Sequence, residues 1–239
     1  MAAKKVLITG AAGNIGTELR ARLKERYTLR LLDRRPIPEP QGQALVCDLG
    51  DLGGLEAACA GMDAVVHLAG NPGNSALWEV LMEDNIKGTY NLFEAARRQG
   101  VKRVVFASTN HVTGYYEREG IYTTPEMQER PDSLYGVSKA FGEDLGRFYV
   151  DEHGMGVICL RIGSFQPEEA VKQRRGDRIL STWLSPRDCA QLVWRGIEAE
   201  EVKFGIFYGI SGNKRAYWEI ENACRLLGYA PEDDAERFA

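Results

Sequence analysis

The stretch Gly10-Ala11-Ala12-Gly13-Asn14-Ile15-Gly16 decides the fold of this chain. It follows the apolar run Val6-Leu7-Ile8-Thr9 and precedes a helical pattern in which Leu19 and Leu23 lie on one face. This order predicts a buried strand, a tight turn and the start of a helix. Glycines let the turn approach a ligand closely, and free N–H groups at a helix start favour a pyrophosphate. The stretch therefore predicts a dinucleotide site.

A second predicted strand, Leu29-Arg30-Leu31-Leu32, ends at Asp33. In dinucleotide-binding units, an acidic residue roughly 20 residues after the glycine turn binds the ribose 2′-OH. The same carboxylate repels a 2′-phosphate, so we expect NAD as the cofactor and not NADP. Arg34 and Arg35 oppose this preference, and the simpler alternative is a sharp turn followed by a surface Asp.

Length and composition predict one globular unit, since 239 residues with 44% hydrophobic residues can bury one sizeable core. A net charge of -4 with only short, scattered basic pairs argues against nucleic acid as a partner. No stretch resembles a signal peptide or a membrane span, so we expect a cytoplasmic protein without a membrane partner. Five cysteines without Cys-x-x-Cys spacing are expected to be reduced, with no bound metal.

Two further predicted strands carry polar residues at their ends. The strand 43–47 ends at Asp48 and Leu49, where Asp48 either meets the adenine or caps the next helix. The strand 63–68 leads into the small-residue loop 69–75, at a sheet edge where open α/β sheets bind ligands. In the helical pattern 77–99, Asn85 either bridges to that loop or merely interrupts the helix.

The predicted strand Val101–Ala107 ends in four consecutive hydrogen-bonding residues, Ser108-Thr109-Asn110-His111. Such side chains pack poorly after a buried strand, so they indicate a site, although Ser, Thr and Asn are also ordinary turn residues. After a predicted surface loop over 112–132, Tyr135 and Lys139 lie four residues apart on one helix face. An ammonium beside a phenol lowers the tyrosine pKa, so the pair predicts a base, with a solvated pair as the alternative.

The remaining pattern completes an α/β fold. A strand over 157–162, a helix from Ser185 to about Ala199, a strand over 205–210 and a helix over 217–227 follow in order. His67 and His153 have no partner pattern and are expected to be structural. We predict a doubly wound parallel Rossmann sheet as a single domain over 1–239, with a small C-terminal substrate-binding lobe formed by about 164–185 and 205–239.

Together, the glycine turn, Asp33, the Ser108-Thr109 strand end and Tyr135-x-x-x-Lys139 resemble the extended short-chain dehydrogenase/reductase superfamily, which includes the NAD-dependent epimerases and dehydratases. Within it, Arg161-Ile162-Gly163-Ser164 and the run from Arg178 to Trp183 are similar to the bacterial uronate dehydrogenases. That resemblance implies an oxidoreductase of carbohydrate metabolism that oxidises C1 of glucuronate or galacturonate to the lactone with NAD. It also implies a homo-oligomer.

The resemblance implies a role for each matching residue. Tyr135 is the base, Lys139 supports it, Thr109 hydrogen-bonds the reacting oxygen and Ser108 assists from the cofactor side. Arg178 binds the sugar carboxylate through parallel hydrogen bonds. The implied cofactor-binding residues are Gly10, Gly13, Asn14, Ile15, Gly16, Asp33, Arg34, Asp48, Leu49, Leu68, Ala69, Gly70, Asn85, Tyr135, Lys139 and Ile162, and the implied substrate-binding residues are Ser75, Thr109, Asn110, His111, Ser164 and Arg178. Which residue of the loop 71–75 meets the substrate stays open.

Other functions remain open at this point. The NAD-dependent glucose-6-phosphate dehydrogenases of halophilic archaea share much of the pattern, and a guanidinium also binds phosphate, with Arg174 and Arg175 nearby. Further alternatives are a dehydrogenase of another aldose, a nucleotide-sugar epimerase or dehydratase, and a non-catalytic NAD-binding sensor. The expected partner is a small sugar acid or sugar phosphate.

Overall fold

The structure, a computed structural model, describes residues 3–173 and 177–238. Its strands are β1 (Lys5–Thr9), β2 (Thr28–Asp33), β3 (Gln43–Val46), β4 (Ala64–His67), β5 (Arg103–Thr109), β6 (Gly156–Ile162), β7 (Ser164–Phe165), β8 (Trp183–Leu184) and β9 (Phe204–Gly209). Seven of them form one parallel sheet in the order β3-β2-β1-β4-β5-β6-β9, and β7 pairs with β8 in a separate parallel pair. The predicted doubly wound parallel α/β fold is confirmed.

Helices cover both faces of the sheet. They are α1 (Asn14–Leu23), α2 (Leu52–Cys59), α3 (Trp78–Leu81), α4 (Gly88–Arg98), α5 (Gly114–Arg118), α6 (Leu134–His153), α7 (Glu168–Gln173), α8 (Asp177–Thr182), α9 (Pro186–Glu198) and α10 (Glu221–Leu227). Successive strand residues point to opposite faces, so Val6 and Ile8 pack into a core with α1, α9 and α10. Leu7 packs on the other side, into a core with α2, α4 and α6. Of the described helices, none is both long enough and apolar enough to cross a bilayer.

The strand order places a crevice at the centre of the sheet. The chain runs from β1 outward through β2 to β3 and then returns to β4 on the other side of β1. The carboxyl ends of β1 and β4 therefore diverge into connections on opposite sides, and open α/β sheets bind ligands at such a switch point. The turn at Gly10 and the loop after β4 both lie there.

Three predicted elements differ from the observed ones. The helix predicted over 77–99 is divided, because a π-helical turn at Met82–Lys87 separates α3 from α4. The segment 112–132, predicted as a loop, begins within a 3-10 turn at Asn110–Thr113 and contains α5. The last helix starts at Glu221 and not at Tyr217, because Thr123 exchanges backbone hydrogen bonds with Tyr217 and Glu219 and keeps that stretch extended.

The C-terminal part of the chain forms a small apolar cluster of its own. Val171, Ile179, Leu180 and Trp183 pack around Ala235, which belongs to a 3-10 turn at Ala235–Phe238. This cluster joins the two segments that the sequence predicts as the substrate side, whereas residues 204–209 belong to the main sheet as β9. Trp183 of this cluster belongs to β8, which pairs with β7, and Ser164 and Phe165 of β7 line the crevice.

Candidate active site

The turn after β1 holds the backbone close to the loop after β4. Gly10 has φ +70°, and a Cβ there would lie 2.8 Å from the backbone nitrogen of Ala69. At Gly16 a Cβ would collide with the carbonyl oxygen of Gly10. The start of α1 has no side-chain cap, so its first N–H groups remain available to an anion. Both glycines are therefore required by the geometry.

Asp33 ends β2 and is held by the neighbouring backbone. Its two carboxylate oxygens accept hydrogen bonds from the N–H groups of Ala12 and Arg35, each at 3.0 Å. The Arg35 side chain reaches back to the Ala12 carbonyl (3.3 Å), and Arg34 pairs with Asp84 (3.4 Å). Arg35 Nε also lies 3.4 Å from Asp33 Oδ1, so the carboxylate is fixed at the edge of the crevice by the backbone and by Arg35, whereas Arg34 has another partner.

Asn85 holds the loop after β4 through hydrogen bonds to the backbone of Asn71. The π-helical turn carries this residue, which is 1% exposed, and its Oδ1 accepts from the Asn71 N–H (2.7 Å). Its Nδ2 donates to Asn71 O (3.1 Å) and to Ser138 Oγ (2.9 Å). Asn85 therefore bridges the loop to α6, as one of the two predicted alternatives has it, and it lies behind the crevice.

Tyr135 and Lys139 lie on the first turns of α6, which begins after the N-cap Ser133. Burial raises the pKa of Tyr135 to about 12, although its hydrogen bond with Thr109 acts in the opposite direction. Burial lowers the pKa of Lys139 to about 8. The expected lowering of the Tyr135 pKa by Lys139 is not found, because Lys139 Nζ donates to Ala107 O (2.9 Å) and lies 5.9 Å from the Tyr135 ring centroid.

Ser108 is tied to a buried ion pair beneath the site. Its hydroxyl donates to Glu143, whose carboxylate also accepts from Arg161 Nη2 (2.7 Å) and Nε (3.0 Å). Glu143 and Arg161 are 1% and 0% exposed. Burial lowers the pKa of Arg161, but Glu143 outweighs that effect and the net pKa is raised. Because the Ser108 proton goes to Glu143, this hydroxyl offers only lone pairs to the crevice.

His111 is held by a partner on each ring nitrogen. Nδ1 lies 2.8 Å from Asp132 Oδ1, and Nε2 lies 2.9 Å from Asn74 Nδ2. An amide nitrogen only donates, so Nε2 accepts and the proton of the neutral ring is on Nδ1, where it donates to Asp132. His67, in contrast, is fully buried behind Phe106, and burial and Lys139 lower its pKa to about 3, in keeping with a structural role.

Arg178 extends from α8 toward the end of β6. Its Nε and Nη2 donate to Glu117 of α5 (2.6 and 3.1 Å), and Nη1 donates to Ser164 Oγ (3.1 Å). Burial lowers the pKa of Arg178, but the hydrogen bonds and charge of Glu117 outweigh it and raise the pKa. Arg174 and Arg175, considered above as phosphate ligands, lie outside the described residues.

These groups converge on one cleft of ≈ 660 Å³ at the switch point. The cleft is lined by most of the predicted site residues: Gly10, Gly13, Asn14, Ile15, Gly16, Asp33, Arg34, Asp48, Leu49, Leu68, Ala69, Gly70, Ser108, Thr109, Asn110, His111, Tyr135, Lys139, Ile162 and Ser164. Asn85, Ser75 and Arg178 are not among its lining residues, and Asn74 lines it in the part of the loop where Ser75 was predicted. The cap of α2 is Asp51, whereas Asp48 accepts from the Gly50 N–H (2.8 Å).

The sequence profile of the NAD dependent epimerase/dehydratase family matches residues 6–201. The chain belongs to this family. Its residues fit the NAD that the family name implies, because a Cβ would fill the glycine cradle and because Asp33 presents a fixed carboxylate at the end of β2. We therefore assign the Gly10 turn, Asp33 and the loop after β4 as the residues that would hold it.

Members of this family from several organisms resemble the chain over nearly its whole length. A uronate dehydrogenase from Pseudomonas putida is 40% identical, with 98% of this chain and 86% of that protein covered. An NAD-dependent glucose-6-phosphate dehydrogenase from Haloferax volcanii is 38% identical, with 98% and 95% covered. The crystal structure of uronate dehydrogenase from Agrobacterium tumefaciens superposes with a TM-score of 0.90 at 40% identity, covering 100% of this chain and 88% of the other.

Several residues of the site were not predicted from the sequence, among them Asn74, Glu117, Asp132, Glu143 and Arg161. Two of them carried a signal. Arg161 is a charge inside an apolar strand, and Glu143 follows Lys139 by four residues on one face of α6, so each needs a buried partner. Glu117 and Asp132 lie in the segment predicted as a surface loop, where a carboxylate needs no special explanation.

Proposed function

We propose that the protein is an NAD-dependent uronate dehydrogenase that oxidises C1 of glucuronate or galacturonate to the aldarolactone. The observation that carries the proposal is the convergence of Thr109, Tyr135 and Lys139 on the same cleft as the Gly10 turn. A relative named uronate dehydrogenase at 40% identity over 98% of the chain supports the substrate class.

One proton and one hydride leave C1, the proton from its hydroxyl and the hydride from the carbon. When bound, NAD supplies the hydride acceptor and a positive charge in the cleft. The Tyr135 oxygen takes the proton of the C1 hydroxyl, and Thr109, which hydrogen-bonds Tyr135, also holds the reacting oxygen. The positive charge of NAD favours the phenolate, and the Lys139 ammonium, which a pKa of about 8 keeps mostly protonated at neutral pH, adds a second positive charge one helical turn away.

The other end of the sugar faces β6 and the C-terminal segments in this proposal. Asn74, Asn110 and His111 contact sugar hydroxyls, and the Arg178 and Ser164 pair receives the carboxylate. The segments 164–185 and 205–239 form the substrate side of a single domain over 1–239. Ser75 takes no part, and Asn74 replaces it.

The test is an assay of NADH formation with glucuronate, galacturonate, glucose 6-phosphate and UDP-glucose side by side. We expect turnover of at least one uronate with kcat/KM at least about tenfold above that of the other sugars, about 1.4 kcal/mol of transition-state discrimination. A preference for glucose 6-phosphate, in keeping with the Haloferax volcanii relative, would replace the proposal with the sugar-phosphate alternative.

We also infer a cytoplasmic homo-oligomer. Five free cysteines fit a reducing compartment, and large apolar side chains on α3, α4 and α6 are exposed, namely Trp78, Tyr90 and Phe148. Light scattering of the purified protein tests the assembly, and a monomer at micromolar concentration would contradict it.

A further inference from the structure

The Arg178 guanidinium is almost fully occupied by groups of the chain itself. An arginine carries five N–H donors, and Glu117 accepts two of them, from Nε and Nη2. Ser164 accepts one from Nη1. With the Asn110 amide oriented so that its nitrogen donates to Ile162 O (3.1 Å), its oxygen accepts the second Nη2 hydrogen (3.2 Å). Within the described ranges 3–173 and 177–238, one Nη1 hydrogen is left for a ligand.

The Ser164 hydroxyl cannot supply a second hydrogen-bond donor for the carboxylate. Thr182 Oγ1 donates its single proton to Arg178 O (2.9 Å), so the hydrogen bond between Ser164 and Thr182 (2.9 Å) uses the Ser164 proton. Ser164 Oγ is therefore an acceptor toward Arg178. A carboxylate arriving at this end of the cleft finds one N–H donor where a free guanidinium would offer a two-pronged edge.

Glu117 is itself firmly held. Its side chain is 20% exposed, and Oε1 accepts a further hydrogen bond from the Tyr217 hydroxyl (2.9 Å). The contact joins α5, α8 and the segment before α10. The net charge of the Glu117 and Arg178 pair is zero, and Asp132, whose charge also acts on Arg178, adds a second carboxylate nearby.

We propose that Glu117 sets the substrate range of this chain by occupying the edge of the Arg178 guanidinium that the carboxylate of an incoming sugar would otherwise bind. This inference rests on the proposed function, since it names the residue that weakens uronate binding at that site. A sugar carboxylate must compete with Glu117 for the guanidinium edge, whereas a neutral sugar with CH₂OH at C6 does not. The chain therefore separates uronates from neutral aldoses less sharply than Arg178 alone would.

The variant Glu117→Gln tests this inference, because glutamine keeps an oxygen for Arg178 and Tyr217 but carries no charge. We expect the KM for glucuronate to fall by about tenfold, as the loss of a like charge a few ångströms away allows, with the KM for glucose unchanged. In the Arg178→Ala background there is no guanidinium to compete for and only the direct repulsion between the two carboxylates remains, so the same replacement should lower the KM for glucuronate by less than in the wild type. Tyr217→Phe, which removes only a hydrogen bond to Glu117, should keep the wild-type ratio of the two KM values.

A glucuronate KM that is unchanged or higher in Glu117→Gln would overturn the inference and make Glu117 a support for Arg178. Equal changes for glucose and glucuronate would also overturn it. If the wild-type protein oxidises neither uronate, the proposed function fails by itself. Calorimetric titration of the NADH-loaded wild type and Glu117→Gln with glucuronate still decides on Glu117 in that event, and equal affinities would refute its role.

Discussion

Lys139 Nζ lies 5.9 Å from the Tyr135 ring centroid and donates a hydrogen bond to the carbonyl of Ala107. Desolvation of the half-buried Tyr135 raises the pKa of its phenol to about 12, so the phenol is neutral at pH 7. In the proposed reaction, positive charge brought into the cleft must favour the Tyr135 phenolate before proton transfer. This relationship makes the Tyr135 proton sensitive to what fills the cleft.

Tyr135→Phe removes the proton acceptor and leaves the ring. We expect kcat to fall by about 10³-fold, within the usual contribution of a positioned base, with the Kd for NADH unchanged. Steady-state kinetics and a fluorescence titration of NADH measure the two quantities. Preserved turnover would exclude the role of Tyr135.

Lys139 predicts a specific pH dependence of stability. Its pKa is about 8 in the folded chain and 10.5 in a free side chain, so between these values the unfolded state binds more protons. The contribution of Lys139 therefore rises with pH across this window, by up to about 3 kcal/mol at 1.36 kcal/mol per pH unit. Denaturation of the ligand-free wild type and Lys139→Met at pH 7.5, 9 and 10.5 measures it.

The wild type should gain stability relative to Lys139→Met as the pH rises. The same replacement at exposed Lys102 is the control, and it should give a difference that does not change across the window. If the free energies of unfolding of the wild type and Lys139→Met change in parallel with pH, burial does not lower the pKa of Lys139.

Arg178→Ala should raise the KM for a uronate by about 10²-fold, the loss expected when a charged hydrogen-bonding partner is removed, and the KM for the matching neutral sugar by little. Arg178→Lys keeps the charge but not the planar guanidinium, so its KM for the uronate should lie between those of the wild type and Arg178→Ala. The measurement is a KM comparison of galacturonate with galactose. Equal increases for both sugars would remove Arg178 from carboxylate recognition.

Asp33→Asn should narrow the preference for NAD over NADP by about tenfold, because the amide no longer repels a 2′-phosphate, and tenfold corresponds to about 1.4 kcal/mol. Asparagine keeps an acceptor oxygen for only one of the Ala12 and Arg35 N–H groups, so thermal unfolding of the variant is measured alongside. The ratio of kcat/KM for the two cofactors is the readout. Asp48→Asn, at another point of the same cleft, should affect both cofactors alike.

Asn85→Ala should destabilise the chain by about 1–2 kcal/mol, since it removes the partner of two half-buried backbone groups of Asn71, and should raise the KM for NAD by loosening the loop after β4. Asn222→Ala is a matched control. That residue is also buried and donates to Ile206 O (2.9 Å), away from the cleft. A lower melting temperature with an unchanged KM for NAD would show that Asn85 supports the fold but not NAD binding by the loop after β4.

The amino-acid sequence alone determined the fold and the cofactor half of the site. The Gly10 turn, Asp33 and the Tyr135 and Lys139 spacing are local patterns, in which neighbours along the chain specify both backbone shape and chemistry. The apolar strands with helices between them leave few arrangements for a parallel sheet, and the switch point of the observed one brings those motifs to one edge. Twenty predicted residues therefore line one cleft.

Only the tertiary structure decided the electrostatics and the substrate end. Glu117 meets Arg178 across 61 residues, and Asn74 meets His111 across 37, so no local pattern announces either contact. The pKa of Tyr135 depends on how deeply the phenol is buried, and this depth is set by packing of α6 against β5 and not by the spacing to Lys139. Contacts between distant segments, and the burial that they cause, determine the pKa of each ionisable group and the partner of each charged side chain.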